Sequence, residues 1–270
     1  MHKGYCMVKD NSRQYTETEN GTKVKSLEKA LIVLECFDSL TPELGIAQIA
    51  EKLQLNKSNV HNIISTFEKK GYLERDKESK RYRLGLKLLE YTYIINKNLS
   101  YQNTAYDIIS YVAKELSFIT YFAVPQKDRI FYLNSAYPPG KTVLSSYRII
   151  IGETAPYYCT SLGKAMLAFM DKSDIDRILK LPRKRFTANT IVDEKLLYAE
   201  LKKIYECGYS IDNGEHETGI KCMGVPILSC AGKVVGAISI SGAALNFDEN
   251  EIHRYLQVLT TATRELKNLF

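Results

Sequence analysis

Residues 46–75 read IAQIAEKLQLNKSNVHNIISTFEKKGYLER. Ile46, Ile49, Ala50 and Leu53 recur at i, i+3, i+4 and i+7, the period of a short amphipathic helix. A second helix is expected to start after Asn56, to bury Val60, Ile63, Ile64 and Phe67, and to stop at Gly71, since glycine takes the left-handed conformation that follows many helices. At 100° per residue, Asn62, Ser65 and Lys69 fall within about 40° of Ser58, opposite the apolar residues, with Lys57 and His61 on the flank. Working outward, Ser26 is a candidate N-cap for an upstream helix carrying Leu27, Ala30, Leu31 and Leu34, which Pro42 and Gly45 bring to an end. Downstream, Tyr72–Arg75 and Arg81–Leu84 read as two short strands around a polar turn. Three helices and a hairpin over residues 24–84 make a winged helix-turn-helix layout.

Charge falls on the same segment. The chain has 270 residues and a net charge of +6; between Lys52 and Lys87 ten Lys/Arg face four Asp/Glu, so the rest sums to about zero. A basic segment on a neutral body is the footprint of a nucleic-acid contact, although a solvated charged surface looks the same by charge alone. Short hydroxyls, an amide and an ammonium on an exposed helix suit base edges and phosphates. Lys57, Ser58, Asn59, His61, Asn62, Ser65 and Lys69 are the candidate DNA-contacting residues of the helix. On the wing, Lys80 and Arg81, beside Lys77 and Arg83, are placed to meet phosphate.

Elsewhere, residues 1–23 are polar and aperiodic and read as a disordered arm. Residues 85–98 read as a linker helix, and residues 99–270 alternate helix and strand signals. Helices are expected at Asn103–Leu116, near Leu162–Met170 and at Leu196–Cys207, with a last one opening at Asp248-x-x-Glu251, a pattern like a capping box. Strands are expected at Phe118–Val124, Ile130–Asn134, Met223–Leu228 and Val234–Ser241. Helices around an antiparallel sheet give an α+β fold of the GAF/PAS sensor type. No apolar run is long enough to span a bilayer and no signal-peptide core follows the N-terminus, so a cytoplasmic protein is expected. The six cysteines are scattered without a C-x-x-C pair, and Cys159, His216 and Cys222 match no zinc spacing, so neither a metal nor a cofactor is expected.

A ligand site is legible in three pieces. Thr160, Ser161 and Gly163 open a helix, where free N–H groups and the helix dipole attract an anion such as a carboxylate. Ser239 and Ser241 alternate with Ile238 and Ile240, so both hydroxyls point to one face of a strand. Asp212 and Cys222 flank an acidic turn of Glu215, His216 and Glu217. Each piece has a plainer reading: half-exposed serines, a small core cysteine, an aspartate in turn chemistry. Tyr157 and Tyr158 are either core aromatics or pocket walls.

SLEKALIVLECF (26–37), the 46–76 segment, RYRLGLKLLE (81–90), YCTSLGKAMLAF (158–169), GYSIDNGEHETGIKCMGVPI (208–227) and GKVVGAISISG (232–242) together resemble the IclR family of bacterial transcription regulators, in that family's order and spacing from about Lys25 to the end. The resemblance implies a winged helix, a linker helix, a GAF-like α/β effector domain, and a homodimer or homotetramer on a pseudo-palindromic double-stranded operator of the nucleoid. It also implies that Asp212, Cys222, Ser239 and Ser241 line the cavity of a small effector, with Asp212 accepting from a ligand hydroxyl and the two serines holding a carboxylate.

Two rivals differ in class. Ser161-x-x-Lys164 matches the nucleophile pattern of serine acyl-transferases, but Lys141-Thr142 is followed by Val143 where glycine is needed, and no S-D-N occurs. A winged helix can also bind protein, against which the polar helix face and the basic hairpin argue.

Overall fold

The computed structural model describes residues 24–270 except 39, 99–101 and 141–151; the arm expected over residues 1–23 lies outside them. The chain divides into two compact units between Ser100 and Tyr101.

In the N-terminal unit, α1 (Lys25–Leu34), α2 (Ile46–Leu53) and α3 (Lys57–Lys69) precede the hairpin β1 (Leu73–Arg75) and β2 (Tyr82–Leu84). The core gathers Val33, Cys36, Phe37, Ile49, Ala50, Val60, Ile64, Leu73 and Tyr82, so the period read in 46–67 is the packed face. The hairpin pairs Leu73 with Leu84 and Arg75 with Tyr82. Leu44 adds an antiparallel bridge to Tyr82, with N–H to carbonyl distances of 3.0 and 2.9 Å, a third wing segment the sequence reading missed.

Two expectations for α1 are corrected. Ser26 lies inside the helix, and the Val24 carbonyl closes its first turn by accepting from the Leu27 and Glu28 N–H groups. The stripe is not the packed face: Leu27 and Leu31 remain more than half exposed and Ala30 and Leu34 half-buried, while the buried residue of the helix is Val33, outside the stripe. Helix α4 (Lys87–Asn98) follows the wing. It is tied back by Tyr91, whose ring stacks on Tyr72 at 6.0 Å and whose hydroxyl lies 2.7 Å from the Tyr72 hydroxyl.

The C-terminal unit contains α5 (Gln102–Leu116), β3 (Ile119–Gln126), β4 (Arg129–Ala136), β5 (Thr154–Pro156), α6 (Ser161–Leu167), α7 (Lys172–Leu179), α8 (Glu194–Cys207), β6 (Ser210–Asn213), β7 (Ile220–Leu228), β8 (Val234–Ala243) and α9 (Ile252–Lys267). Its strands form one antiparallel sheet in the order β5-β4-β3-β8-β7-β6. Side chains alternate across a strand, so the sheet has two different faces. One carries Phe122, Met223, Val225, Ile238 and Ile240 into a core closed by α5 and α9. The other carries Ala123, Ile130 and Ala237 against residues of α6, α7 and α8. Helix α7 and the edge strands β5 and β6 were not foreseen. Asp248 caps a 3-10 turn, Glu249–Glu251, by accepting from the Asn250 N–H, so the capping box expected to open α9 is instead a separate turn before it.

Candidate functional site: an exposed polar helix and a polar face of the sheet

In the N-terminal unit, Lys57, Ser58, Asn59, His61, Asn62, Ser65 and Lys69 are all exposed on α3 while Val60 and Ile64 are buried behind them. Packing therefore fixes which face of the helix meets solvent. The wing turn is held by Asp76, whose Oδ1 accepts from the Ser79 N–H at 2.7 Å and the Glu78 N–H at 3.1 Å. These donors hold its carboxyl below the usual range. Lys80 and Arg81 are exposed at this turn, with the Lys80 ammonium donating to the Lys77 carbonyl at 2.6 Å. Arg83 instead pairs with Glu74 across the hairpin at 3.2 Å.

In the C-terminal unit, register places the remaining candidates. Asp212 lies opposite Cys222, and Cys222 opposite Ser241. In the next row Ser210, Gly224, Ser239 and Tyr121 lie side by side. Directly opposed residues share a face, so these groups stand together on the α6 side, opposite Ile238 and Ile240. The Cys222 thiol donates to the Ser241 hydroxyl at 3.1 Å and also meets the Ser161 hydroxyl. Burial is the largest influence on it and pushes the thiol well up, which keeps it protonated. Helix α6 lies directly on the sheet: a Cβ on Gly224 would fall 2.7 Å from the Ser161 backbone, and the Ser210 hydroxyl donates to the Ser161 carbonyl at 2.5 Å.

The other two residues of the helix start have structural partners. Thr160 Oγ1 accepts from the Gly163 N–H at 3.0 Å and donates to the Pro156 carbonyl at 3.2 Å. Gly163 itself is packed so that a Cβ would fall 2.4 Å from the Tyr157 carbonyl. The N–H of Gly163 is thus already satisfied.

Sequence reasoning missed the support beneath the site. Lys164, with no exposure, donates from Nζ to Glu215 Oε1 at 2.5 Å, to the Ile211 carbonyl at 2.7 Å and to Glu200 Oε1 at 3.5 Å. The ammonium of Ser161-x-x-Lys164 is thereby committed to Glu215 and β6. Thr187, Asn189 and Thr190 hold the acidic turn, donating to the carbonyls of Gly214 (2.7 Å), Asn213 (2.8 Å) and Glu215 (2.7 Å). Asp212 Oδ1 accepts from the Glu215 N–H at 2.7 Å. Burial nevertheless dominates and pushes the Asp212 carboxyl up to about 7; Glu215 is also raised, by burial opposed by Lys164. The only sequence hint was a lone charged residue, Lys164, within the otherwise uncharged helix Ser161–Leu167. Tyr158 donates to the Lys184 carbonyl at 2.8 Å and accepts from the Lys184 N–H at the same distance, anchoring the 184–190 loop.

Among the described residues no helix is long and apolar enough to cross a membrane, and no three His, Cys, Asp or Glu side chains are grouped to hold a metal ion.

Comparison with known proteins agrees with both units. Residues 26–77 match the IclR helix-turn-helix domain and residues 97–268 the bacterial transcriptional regulator IclR C-terminal domain. The chain is 31% identical over 252 residues to the HTH-type transcriptional regulator KdgR of Escherichia coli, covering 90% of this chain and 91% of that one. The IclR transcriptional regulator structure from Alicyclobacillus acidocaldarius aligns with a TM-score of 0.81 at 25% identity, over 92% of this chain and 99% of that one. An IclR homologue from Microbacterium hydrocarbonoxydans, solved in complex with 4-hydroxybenzoate, shares the fold at a TM-score of 0.75 and 22% identity, over 90% and 98% of the two chains. With a DNA-reading unit and an effector unit both matched in order, this chain is a member of the IclR family of bacterial transcriptional regulators.

Proposed function

We propose that this chain binds a specific operator and that a small carboxylic acid, held on the α6 side of the sheet, controls that binding. In this reading Ser58 and Asn62, with their neighbours on α3, read base edges, while Lys80 and Arg81 bind phosphate. Ser239 and Ser241 hold the carboxylate, Asp212 takes a ligand hydroxyl, and Ser161 and Cys222 complete the wall. The protein works as a homodimer or homotetramer on a pseudo-palindromic site, in the cytoplasm.

The observation that carries the reading is a contrast between the two faces of the sheet. Met223, Ile238 and Ile240 are fully buried, while on the opposite face of the sheet Cys222, Tyr121 and Tyr132 keep partial exposure. Among those residues Asp212, Ser239 and Ser241 are buried polar groups, which a ligand can satisfy. A few polar groups gathered among apolar side chains are the usual lining of a small-molecule site. That a related protein of this fold binds 4-hydroxybenzoate is consistent with an acid here.

A gel shift on the DNA upstream of the protein's own coding sequence, with and without a panel of carboxylic acids, tests the reading. Sequence-specific binding that one acid changes is the expected result. Binding indifferent to sequence, or to every acid, counts against it.

A further inference from the structure

We propose that Tyr72 and Tyr91 are a positioning pair: they fix the angle between the reading helix α3 and helix α4, and through it the half-site spacing that the protein accepts on DNA; this rests on the reading of the chain as a dimer on an operator of two half-sites.

The pair closes a junction where three elements meet. Helix α3 gives way to Gly71, which has φ +79°, and the Tyr72 N–H returns to the Phe67 carbonyl at 2.9 Å. The Tyr72 ring packs edge to face on Phe67 at 5.8 Å, so it moves with α3. The backbone leaving the wing is pressed onto the same turn. A Cβ on Gly85 would fall 2.2 Å from the Gly71 carbonyl oxygen, and the Gly85 and Lys87 N–H groups donate to the Tyr72 and Gly71 carbonyls at 2.8 and 3.3 Å. These bonds hold the start of α4 at one point, about which a helix can still tilt. Tyr91 supplies a second point one turn further on, about 6 Å along the axis from Lys87. Its ring lies within 19° of parallel to that of Tyr72, and the two hydroxyls share a hydrogen bond of 2.7 Å. Neither tyrosine belongs to the buried core of the winged helix, and Tyr91 remains 43% exposed, so that core assembles without the contact.

Placement on α4 and the length of α3 give the pair its role. At 100° per residue, Tyr91 lies about 160° around the helix from both Leu89 and Tyr93, which are exposed. One side of α4 thus grips α3 while the opposite side is open to a second copy. The angle set by the pair is then repeated in the second copy by two-fold symmetry. Helix α3 has 13 residues, a length of about 20 Å; the tyrosine pair sits at its C-terminal end and Ser58 near the other. A tilt of about 10° at the pair displaces the Ser58 end by roughly 3.5 Å, close to the rise of one base pair. Discrimination of spacing to a single base pair therefore needs this angle held within a few degrees. A ring stack and a hydrogen bond are both directional enough to hold it.

The test uses the full-length protein and the duplex it selects from a randomised pool, with derivatives carrying one base pair more or fewer between the half-sites. By fluorescence anisotropy the wild type should bind the selected spacing about ten-fold or more tighter than either altered one. Tyr91→Ala should cut that preference to about three-fold or less, through weaker binding to the selected spacing, with unfolding in urea unchanged. Tyr91→Phe, which keeps the stack, should retain most of the preference, and adding Tyr72→Ala to Tyr91→Ala should cost nothing further. A wild type indifferent to spacing overturns the proposal, as does a Tyr91→Ala protein that keeps the wild-type preference or loses affinity for all three duplexes alike. So do a phenylalanine variant no better than alanine and an additive loss in the double variant. In each of these cases a selected duplex with two half-sites leaves the dimer reading standing. A pool that yields a lone half-site, or no preferred duplex, ends that reading and this proposal with it. Should Tyr91→Ala not fold, Tyr91→Leu, which suits a helix but removes the ring pair, is held to the same outcomes.

Discussion

The ammonium of Lys164 lies 2.5 Å from Glu215 Oε1, with Lys164 fully buried and Glu215 5% exposed. Two charges so deeply placed are tolerated because each offsets the other. Removing one partner leaves the other charged and desolvated, which costs about 3–5 kcal/mol, whereas replacing both can be nearly neutral. Lys164→Met should therefore destabilise the C-terminal unit by that amount in urea unfolding, and adding Glu215→Leu should restore a large part of it. Additive losses in the double variant would show that the two groups are not coupled.

Asp212 sets the pH dependence of the fold. Its carboxyl is raised by burial from its ordinary 3.8 to about 7, so the folded protein keeps a proton that the unfolded chain releases. The corresponding stability is fully present below about 4 and is lost as pH rises through about 7, by at most about 4 kcal/mol. Glu215 shifts the same way and steepens the fall. Asp212→Asn keeps an oxygen for the Glu215 N–H and cannot ionise. At pH 8 it should be more stable than the wild type, and between pH 4 and 8 its stability should vary less. Parallel stability curves for the two proteins would refute the assignment.

On DNA, the proposed roles of α3 and the wing predict different losses. Ser58 and Asn62 project from the exposed face of α3, and loss of a base contact costs about 1–3 kcal/mol on the matching sequence only. Ser58→Ala or Asn62→Ala should weaken operator binding by that amount and relax specificity. Lys80→Ala or Arg81→Ala should weaken operator and random DNA alike and flatten the salt dependence, since phosphate contacts act through counterion release. The same profile from both pairs of variants would end this division of labour.

What could be read from the residues, and what could not, follows the range of the interactions. Helix α3 was legible because Val60, Ile63, Ile64 and Phe67 repeat at its own period, and β8 because Ser239 and Ser241 alternate with isoleucines. Strands β5 and β6 are Thr-Ala-Pro and Ser-Ile-Asp-Asn, poor strand formers whose conformation is imposed by pairing with β4 and β7. The helix start at Thr160 looked open to an anion, yet only the folded chain shows that the Gly163 N–H is already taken. The Lys164–Glu215 pair joins residues 51 positions apart, beyond the reach of any periodicity.

Helix α4 and the residue before it expose Leu86 (68%), Leu89 (62%), Tyr93 (68%) and Ile94 (52%). That is more apolar surface than a connecting helix requires, and contiguous patches of this kind mark interaction sites. We expect the helix to pack on a second copy of the chain, pairing two winged helices for half-sites on one face of DNA. Light scattering at operator-binding concentration should give a dimer or larger. Leu89→Lys should abolish operator binding while effector binding survives. A strictly monomeric wild type would overturn the prediction.

The hydroxyls of Ser239 and Ser241 test the sensor itself. Ser239 is 2% exposed and Ser241 9% exposed, and the Ser241 oxygen already accepts the Cys222 thiol. Losing that weak bond costs the fold little, because thiols are poor donors. A buried carboxylate loses more: each missing hydrogen bond to a charged group costs about 1.5–3 kcal/mol, so Ser239→Ala with Ser241→Ala should weaken the effector by roughly two to four decades if the two effects add. Operator affinity without effector should barely change. A ligand shifts an equilibrium only by its differential affinity for the two states, so the double variant should also remain in its effector-free DNA-binding state at acid concentrations that switch the wild type. Calorimetry paired with gel shifts measures both quantities. Unchanged affinity would place the effector elsewhere, while lost affinity with an intact response on DNA would show that this face holds a second site and not the switch.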